Sequence, residues 1–146
     1  MIFSKSFGYA LRSVLYIALT AEEGKRVQID EIAKKLNVPR YFLGKVMNKI
    51  VKEKILDSTK GPYGGFQLND KTLATPLLRL IHITEGTDQF KNCVLSFRKC
   101  NAKRPCPLHH QLEAYKNQLL QLFSETTIGD VLKKNDPNFI NSIAIS

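Results

Sequence analysis

The sequence predicts a mostly α-helical protein with a helix-turn-helix, a small β wing and a long C-terminal helix. Apolar residues recur at steps of three and four through the first half of the chain, which indicates amphipathic helices. A glycine-rich stretch separates two short β-type segments, and a heptad-like stripe begins at Leu108. At 146 residues and 43% hydrophobic content, the chain can form one core and an oligomerisation arm.

The predicted organisation has four parts. A winged helix-turn-helix domain covers residues 1–86, and a cysteine-rich loop covers residues 87–107. A dimerisation helix and a short final helix cover residues 108–134, followed by a tail over residues 135–146.

The positive charge of the chain is concentrated in its first half. Lys and Arg total 22 against 13 Asp and Glu, which gives a net charge of +9 and a pI near 9.6. Residues 1–70 hold 12 basic and 7 acidic residues, whereas 3 basic and 4 acidic residues follow His110. This distribution predicts polyanion binding by the first half, although a solvated basic face without a partner is an alternative.

An apolar stretch near the start of the chain superficially resembles a secretory signal. Residues 7–21 follow Lys5 and end in small residues, but Arg12 interrupts the apolar run. Three cysteines, an odd number, also fit poorly with a secreted disulfide framework. We therefore expect a protein of the bacterial-type cytoplasm without a membrane partner.

Three helices are predicted in the first third of the chain. The first spans residues 3–21, and the second spans residues 29–36 and is broken by an Asn-Val-Pro sequence. The third begins at Pro39, runs to about Lys52 and is expected to bury five apolar residues, namely Phe42, Leu43, Val46, Ile50 and Val51. Two short helices separated by a tight break form a helix-turn-helix.

The opposite face of the third helix carries groups that can bind DNA. Arg and Lys can donate to guanine and Asn can pair with adenine. A glycine costs a helix interior about 1 kcal/mol relative to Ala but lets the backbone approach the groove. The residues that share this face are Arg40, Tyr41, Gly44, Lys45 and Asn48. A solvated surface is the alternative.

Two short strands, residues 55–59 and 66–68, flank a turn-rich Lys-Gly-Pro-Tyr-Gly-Gly loop. A loop of this kind with one cation is typical of a β wing that reaches phosphates or the minor groove. We assign Lys60 and Tyr63 to this contact, and double-stranded DNA is the expected partner.

All three cysteines and two of the three histidines lie in one stretch with the spacing Cys93-x6-Cys100-x5-Cys106-x2-His109. Prolines flank the third cysteine and exclude a helix there, so another force must order the loop. Five basic residues and no acid lie between positions 91 and 110, which favours thiolates and a negatively charged thiolate-ligated centre. An iron–sulfur cluster fits this charge better than Zn²⁺ alone. A buried cysteine beside two spectators, or a redox-active thiol pair, is the alternative.

Three further helices are predicted after the wing. One begins at Thr75-Pro76 and ends at Gly86, and Thr127 can cap a short helix over residues 128–134. Between them a stripe recurs at steps of four, three, four and three: Leu108, Leu112, Tyr115, Leu119 and Leu122. The stripe could be core, but little chain follows to cover it, so we expect it to form a homodimer interface.

Six stretches of the chain match the motifs of one family: Ser4-Lys5, Tyr9-Ala10-Leu11-Arg12, Ile32-Ala33, Val38-Pro39, Lys60-Gly61-Pro62-Tyr63-Gly64-Gly65-Phe66 and Cys106-Pro107-Leu108-His109. Together they resemble the IscR/NsrR/CymR family of winged-helix transcription regulators, from residue 1 to about residue 132. The resemblance implies a homodimer that binds an inverted repeat. Many members of this family hold an iron–sulfur cluster, whereas members of the CymR branch hold none. His109 falls where the iron–sulfur-cluster regulator places its histidine ligand.

The chain departs from this family in two places. Its first cysteine gap, x6, is one residue longer than in the best-known cluster-binding members, so a 2Fe-2S and a 4Fe-4S cluster are both open. The nitric-oxide-sensing branch takes a carboxylate from the partner's first helix, and residues 3–21 contain no acid. The expected ligands are therefore Cys93, Cys100 and Cys106, with His109 as the fourth.

The sequence thus predicts a DNA-binding transcriptional regulator, with repression as the expected outcome. Binding would be modulated by a cluster that senses redox state, iron or nitric oxide. No catalytic constellation is present, so we do not expect an enzyme. The alternatives are a zinc-binding or cluster-free regulator of the same fold, and a thiol-redox or electron-transfer protein.

Overall fold

The computed structural model describes residues 3–20, 25–86, 88–93, 95, 99 and 101–133. Its helices are α1 (Lys5–Thr20), α2 (Ile29–Leu36), α3 (Arg40–Lys52), α4 (Leu77–Glu85), α5 (His109–Glu125) and α6 (Ile128–Lys133). Two strands, β1 (Leu56–Thr59) and β2 (Gly65–Leu68), form an antiparallel hairpin, and Asp88–Phe90 form one 3₁₀ turn. The predicted fold class is confirmed: the chain is mostly helical with one small sheet.

The core is built around α1, which contacts α2, α3, α4 and α6. Its apolar face supplies Val14 and Ile17, both fully buried, and these meet buried side chains of the neighbouring helices. Phe3 lies before the first helical turn and stacks edge-on against Phe123 of α5, with ring centroids 5.1 Å apart. An amphipathic helix at the centre of the fold therefore joins the first half of the chain to its C-terminal helices.

The turn of the helix-turn-helix begins with a residue in the left-handed backbone conformation. Asn37 ends α2 at φ 52°, and its backbone N–H lies against the carbonyls of Ala33 and Lys34. Asn tolerates this conformation better than most residues because its short polar side chain bonds locally. Pro39 then precedes α3 as its N-cap rather than as its first helical residue. The angle between the two helices is thus set by the Asn-Val-Pro break.

One residue of the predicted inward face of α3 is outside the core. Phe42 is 57% exposed, whereas Leu43 and Ile50 are fully buried. The buried stripe of α3 is Leu43, Val46, Met47 and Ile50, which follows the i, i+3, i+4, i+7 pattern. Phe42 precedes that stripe by one position, about 100° around the helix, so its assignment to the core was wrong.

The wing is held against the start of α2. Val27 and Phe66 exchange two backbone hydrogen bonds of 2.9 and 2.8 Å, which adds a third short extended segment beside β2. The Gln28 amide donates to the carbonyls of Pro62 and Gly64 at 3.2 and 2.7 Å. Gly64 is required where it stands, because a Cβ there would lie 2.0 Å from the Thr59 carbonyl oxygen. Four hydrogen bonds therefore attach the wing to the segment that leads into the helix-turn-helix.

The last helix packs on the first part of the chain. Thr127 and Asp130 cap α6 reciprocally: the Asp130 amide donates to Thr127 Oγ1 at 3.1 Å, and the Thr127 amide donates to Asp130 Oδ2 at 3.0 Å. Ile128 is fully buried, and its N–H donates to the Thr75 carbonyl at 3.0 Å.

The boundaries of the four predicted parts remain predictions, and the tail over 135–146 lies outside the described residues. No helix in the described part of the chain is long and apolar enough to cross a membrane.

Candidate DNA interface and cysteine loop

The five predicted DNA-binding residues of α3 lie together on its outer side. Four of them are exposed and Gly44 is half-buried. The Lys45 ammonium lies 4.5 Å from the centroid of the Tyr41 ring, which is 70% exposed. This cation–π contact holds the Lys45 side chain over a surface that water reaches. The face therefore presents a positioned cation, an aromatic ring and the Asn48 amide.

Arg40 is already engaged by α2. Its Nε donates to Asp30 in an exposed ion pair, with about two thirds of both side chains accessible. Exposed pairs of this kind contribute little stability, so Arg40 can exchange Asp30 for another acceptor at small cost. Its guanidinium also has four further N–H donors. Arg40 therefore remains accessible to a further acceptor.

The wing presents its two predicted DNA contacts to solvent. Tyr63 is 92% exposed at the tip, and Lys60 is exposed beside it. The turn closes through the Gly64 N–H, which donates to the Gly61 carbonyl at 3.0 Å. A fully exposed aromatic ring on a rigid turn has no packing role in the described chain.

Phe42 is an exposed residue of this surface that the periodicity of α3 does not reveal. Its ring lies 6.0 Å from that of Tyr41, at 74° between the planes. Two adjacent exposed aromatic rings on the first turns of α3 form an apolar patch beside the polar donors. Apolar contact with a thymine methyl group is one way in which a side chain recognises a base. The signal in the sequence is the Tyr-Phe pair directly after Arg40.

The cysteine loop is only partly described. Cys93 is 8% exposed and Cys106 is half-buried, whereas Cys100 lies outside the described residues. Before Cys93, the Asn92 carbonyl accepts a hydrogen bond from the Lys116 ammonium of α5. The loop is therefore fastened at its start to the middle of α5.

His109 is the first residue of α5 and is 3% exposed. Its Nε2 lies 3.3 Å from Glu113 Oε2, one helical turn later. His109, His110 and Glu113 place one ligand atom each within 4.8 Å of one another. Neither of the two cysteines that the structure describes belongs to this group. The four predicted cluster ligands are thus not brought together among the described residues.

The stripe of α5 divides into two kinds of position. Leu108, Tyr115 and Leu122 are exposed at 45%, 65% and 54%, whereas Leu112 and Leu119 are half-buried. Leu112 and Leu119 share a side of α5 with Phe123, which touches Phe3 and Phe7, so this side packs on the chain itself. Three large apolar side chains spaced seven residues apart, Leu108, Tyr115 and Leu122, therefore remain uncovered by the described chain.

Comparison with known sequences identifies the family. The sequence profile of Rrf2, described as "Iron-dependent Transcriptional regulator", matches residues 3–134. The chain belongs to the Rrf2 family. A protein of Aquifex aeolicus (strain VF5), named as an HTH-type transcriptional regulator, is 37% identical over 134 residues, which cover 90% of this chain and 92% of that protein.

Solved structures of Rrf2-type regulators share the fold. CymR of B. subtilis, titled the global cysteine regulator, superposes with a TM-score of 0.74 over 92% of this chain and 98% of its own, at 17% identity. The structure titled T. potens IscR superposes with a TM-score of 0.69 over 92% of this chain and 88% of its own, at 18% identity.

Membership of the Rrf2 family makes the chain a DNA-binding transcription regulator and not an enzyme. The family therefore favours a transcription regulator over the thiol-redox or electron-transfer protein that the sequence had left as an alternative.

Proposed function

We propose that this Rrf2 protein binds an inverted-repeat operator as a homodimer and represses transcription. We further propose that an iron–sulfur cluster held by Cys93, Cys100, Cys106 and His109 modulates the binding. The observation that carries the proposal is the low exposure of Cys93 at one end of the basic loop and of Cys106 and His109 at its other end.

The DNA-binding part of the proposal rests on two adjacent surfaces. The outer side of α3 carries donors for base edges, and the wing carries the exposed side chains of Lys60 and Tyr63. Gln28 and the Val27 backbone tie the wing to α2, so both surfaces keep a fixed relative position. A fixed pair of surfaces is what simultaneous groove and phosphate contact requires.

The dimer part rests on α5. Its 17 residues span about 25 Å at about 1.5 Å per residue, and exposed apolar side chains follow one side from Leu108 to Leu122. Two half-sites of an inverted repeat need two binding domains at a fixed spacing. A symmetric contact along this face would bury the stripe and set that spacing.

The donor set of the loop fits a cluster. Three thiolates and a neutral imidazole are ligands that iron–sulfur centres accept, and the surrounding Lys and Arg residues offset their negative charge. His109 stands at the N-terminal end of α5, where the helix dipole favours a negatively charged group. When bound, the cluster would supply an iron centre that responds to redox state, iron supply or nitric oxide. The chain would supply the ligands and, through Asn92 and Lys116, the link to the dimer helix.

The decisive experiment is strictly anaerobic purification followed by iron and acid-labile sulfide analysis, visible absorbance and operator binding. We expect a coloured protein that loses its absorbance in each of the variants Cys93→Ala, Cys100→Ala and Cys106→Ala. His109→Ala should shift or weaken the absorbance. DNA affinity should differ between the loaded and the cluster-free protein. A colourless, iron-free protein whose DNA binding ignores all three cysteine substitutions would leave a cluster-free regulator.

A further inference from the structure

A second set of metal-ligating side chains lies on the first turns of α5. His109, His110 and Glu113 each place one ligand atom within 4.8 Å of the other two. Two histidines and one carboxylate are the donor set with which proteins hold a single non-haem Fe²⁺ ion while leaving coordination positions open. This set contains no thiolate, so its chemistry differs from that of the cysteine loop.

The distance between His109 and Glu113 already suits two ligands of one ion. Their Nε2 and Oε2 atoms are 3.3 Å apart. Ligands that lie about 2.0–2.2 Å from a metal ion are about 3.0–3.5 Å from each other. Residues four apart share one helix face, which is the spacing that metal-binding helices use for paired histidines.

The third ligand can reach the same point. His109 is almost fully buried, so its ring is held in place, and the His110 ring centroid lies 5.4 Å from it. His110 is exposed, and the Glu113 side chain is half exposed, so both can rotate without disturbing the core. The dipole of α5 disfavours a cation at this end, but the Glu113 carboxylate offsets that effect. Water would fill the remaining positions.

We propose that His109, His110 and Glu113 bind one Fe²⁺ ion per chain whenever His109 is not a cluster ligand. Its regulatory meaning rests on the proposed function, because His109 is also the histidine assigned to the cluster. The two iron species then exclude each other at one side chain. The cluster-free protein consequently responds to ferrous iron through α5 and not through the cysteines.

The test is anaerobic titration of cluster-free protein with Fe²⁺, followed by nitric oxide as a spectroscopic probe. A single ferrous ion with nitrogen and oxygen ligands and an open position gives a quartet-state iron–nitrosyl EPR signal. Iron held by thiolates gives the doublet signal of a dinitrosyl complex instead. We expect the quartet signal, saturating at one ion per chain. His110→Ala and Glu113→Gln should weaken Fe²⁺ binding by at least about tenfold, the scale of losses at metal sites.

Gln111→Ala is the matched control, because Gln111 is exposed on the same helical turn and lies outside the donor set. It should bind Fe²⁺ as the wild type does. Circular dichroism checks that each variant keeps its helices. A doublet signal from the wild type, or unchanged affinity in both His110→Ala and Glu113→Gln, would overturn the proposal.

The same variants separate this site from the cluster. His110 and Glu113 are not cluster ligands, so His110→Ala should retain the cluster content of the wild type after anaerobic purification. If no cluster forms in any variant, the proposed function fails while Fe²⁺ binding can still be measured. If the cluster forms normally but Fe²⁺ binds equally in all variants, only the present inference fails.

Discussion

Phe42 and Leu43 are chain neighbours in opposite environments. Leu43 is fully buried in the core, whereas Phe42 is 57% exposed beside Tyr41. A large apolar side chain on the outer side of a DNA-binding helix serves contact with a partner better than packing. The two residues can therefore be separated by experiment.

Leu43→Ala should lower the free energy of unfolding by about 2–5 kcal/mol, because it leaves a cavity in the core. Phe42→Ala should change it by no more than about 0.5 kcal/mol but should weaken operator binding. Urea unfolding and a DNA titration measure the two effects. A large stability loss in Phe42→Ala would restore this residue to the core.

Tyr16 is the buried titratable group of α1, and its hydroxyl donates to Glu31 Oε1 at 3.0 Å. Burial raises the pKa of Tyr16, and the hydrogen bond and charge of Glu31 raise it further. Below the ordinary tyrosine pKa of about 10, Tyr16 is protonated in both the folded and the unfolded protein. The stabilisation that its contact with Glu31 gives the folded protein is then fully present. As pH rises through the unfolded and then the folded pKa, the unfolded chain ionises first and the stability is lost.

Tyr16→Phe should therefore cost about 1 kcal/mol near neutral pH through the lost hydrogen bond. It should also reduce the decline in stability above about pH 10, since Phe cannot ionise. Urea denaturation of both proteins between about pH 7 and pH 11 gives the difference. Parallel pH curves for the two proteins would show that Tyr16 does not titrate differently on folding.

At the scale of elements, we expect α3 and the wing to make different contributions to DNA binding. Base-edge donors discriminate between sequences, whereas a cation on phosphate adds affinity without discrimination. Arg40→Ala and Lys45→Ala should each cost about 1–3 kcal/mol on the operator and relax specificity. Lys60→Ala should weaken all duplexes alike and flatten the salt dependence by about one unit of slope. Titrations of operator and random duplexes at several salt concentrations would contradict this division if all three variants matched the wild type.

The elements were predictable because their signals are local. The range of α2 follows from apolar periodicity and the Asn-Val-Pro break, and the wing strands follow from the glycines that bound them. Phe42 was assigned to the core because it lies four residues before Val46, a spacing that also fits the helical period. Periodicity alone does not show how many neighbouring positions on a helix are buried. The His109–Glu113 contact was also missed, although its i, i+4 spacing was visible. The position of Glu113 becomes informative only once His109 is known to be buried.

At the scale of the whole molecule, the uncovered side of α5 predicts the oligomeric state. Tyr115 is 65% exposed at the middle of the stripe, and Asn117 is an exposed polar residue on the opposite side of α5. Tyr115→Glu should place a charge in the proposed interface and yield monomers with weaker operator binding. Asn117→Glu adds the same charge on the other side of the helix and should remain dimeric. Sedimentation that finds a monomeric wild type, or a dimeric Tyr115→Glu, would contradict the interface.

The last helix, α6, packs on the core that the earlier helices form. Ile128 fills a position among the side chains of the first half of the chain, and backbone hydrogen bonds join Thr75 and Leu77 to the segment after α5. We therefore expect a fragment of residues 1–86, which lacks Ile128, to have a cavity in its core and to unfold less cooperatively in urea. α5 is also held at several points along its length, by Phe123 near its end, Lys116 at its middle and the buried His109 at its start. A rearrangement of the cysteine loop would therefore act on α5 as a whole rather than on one end of it.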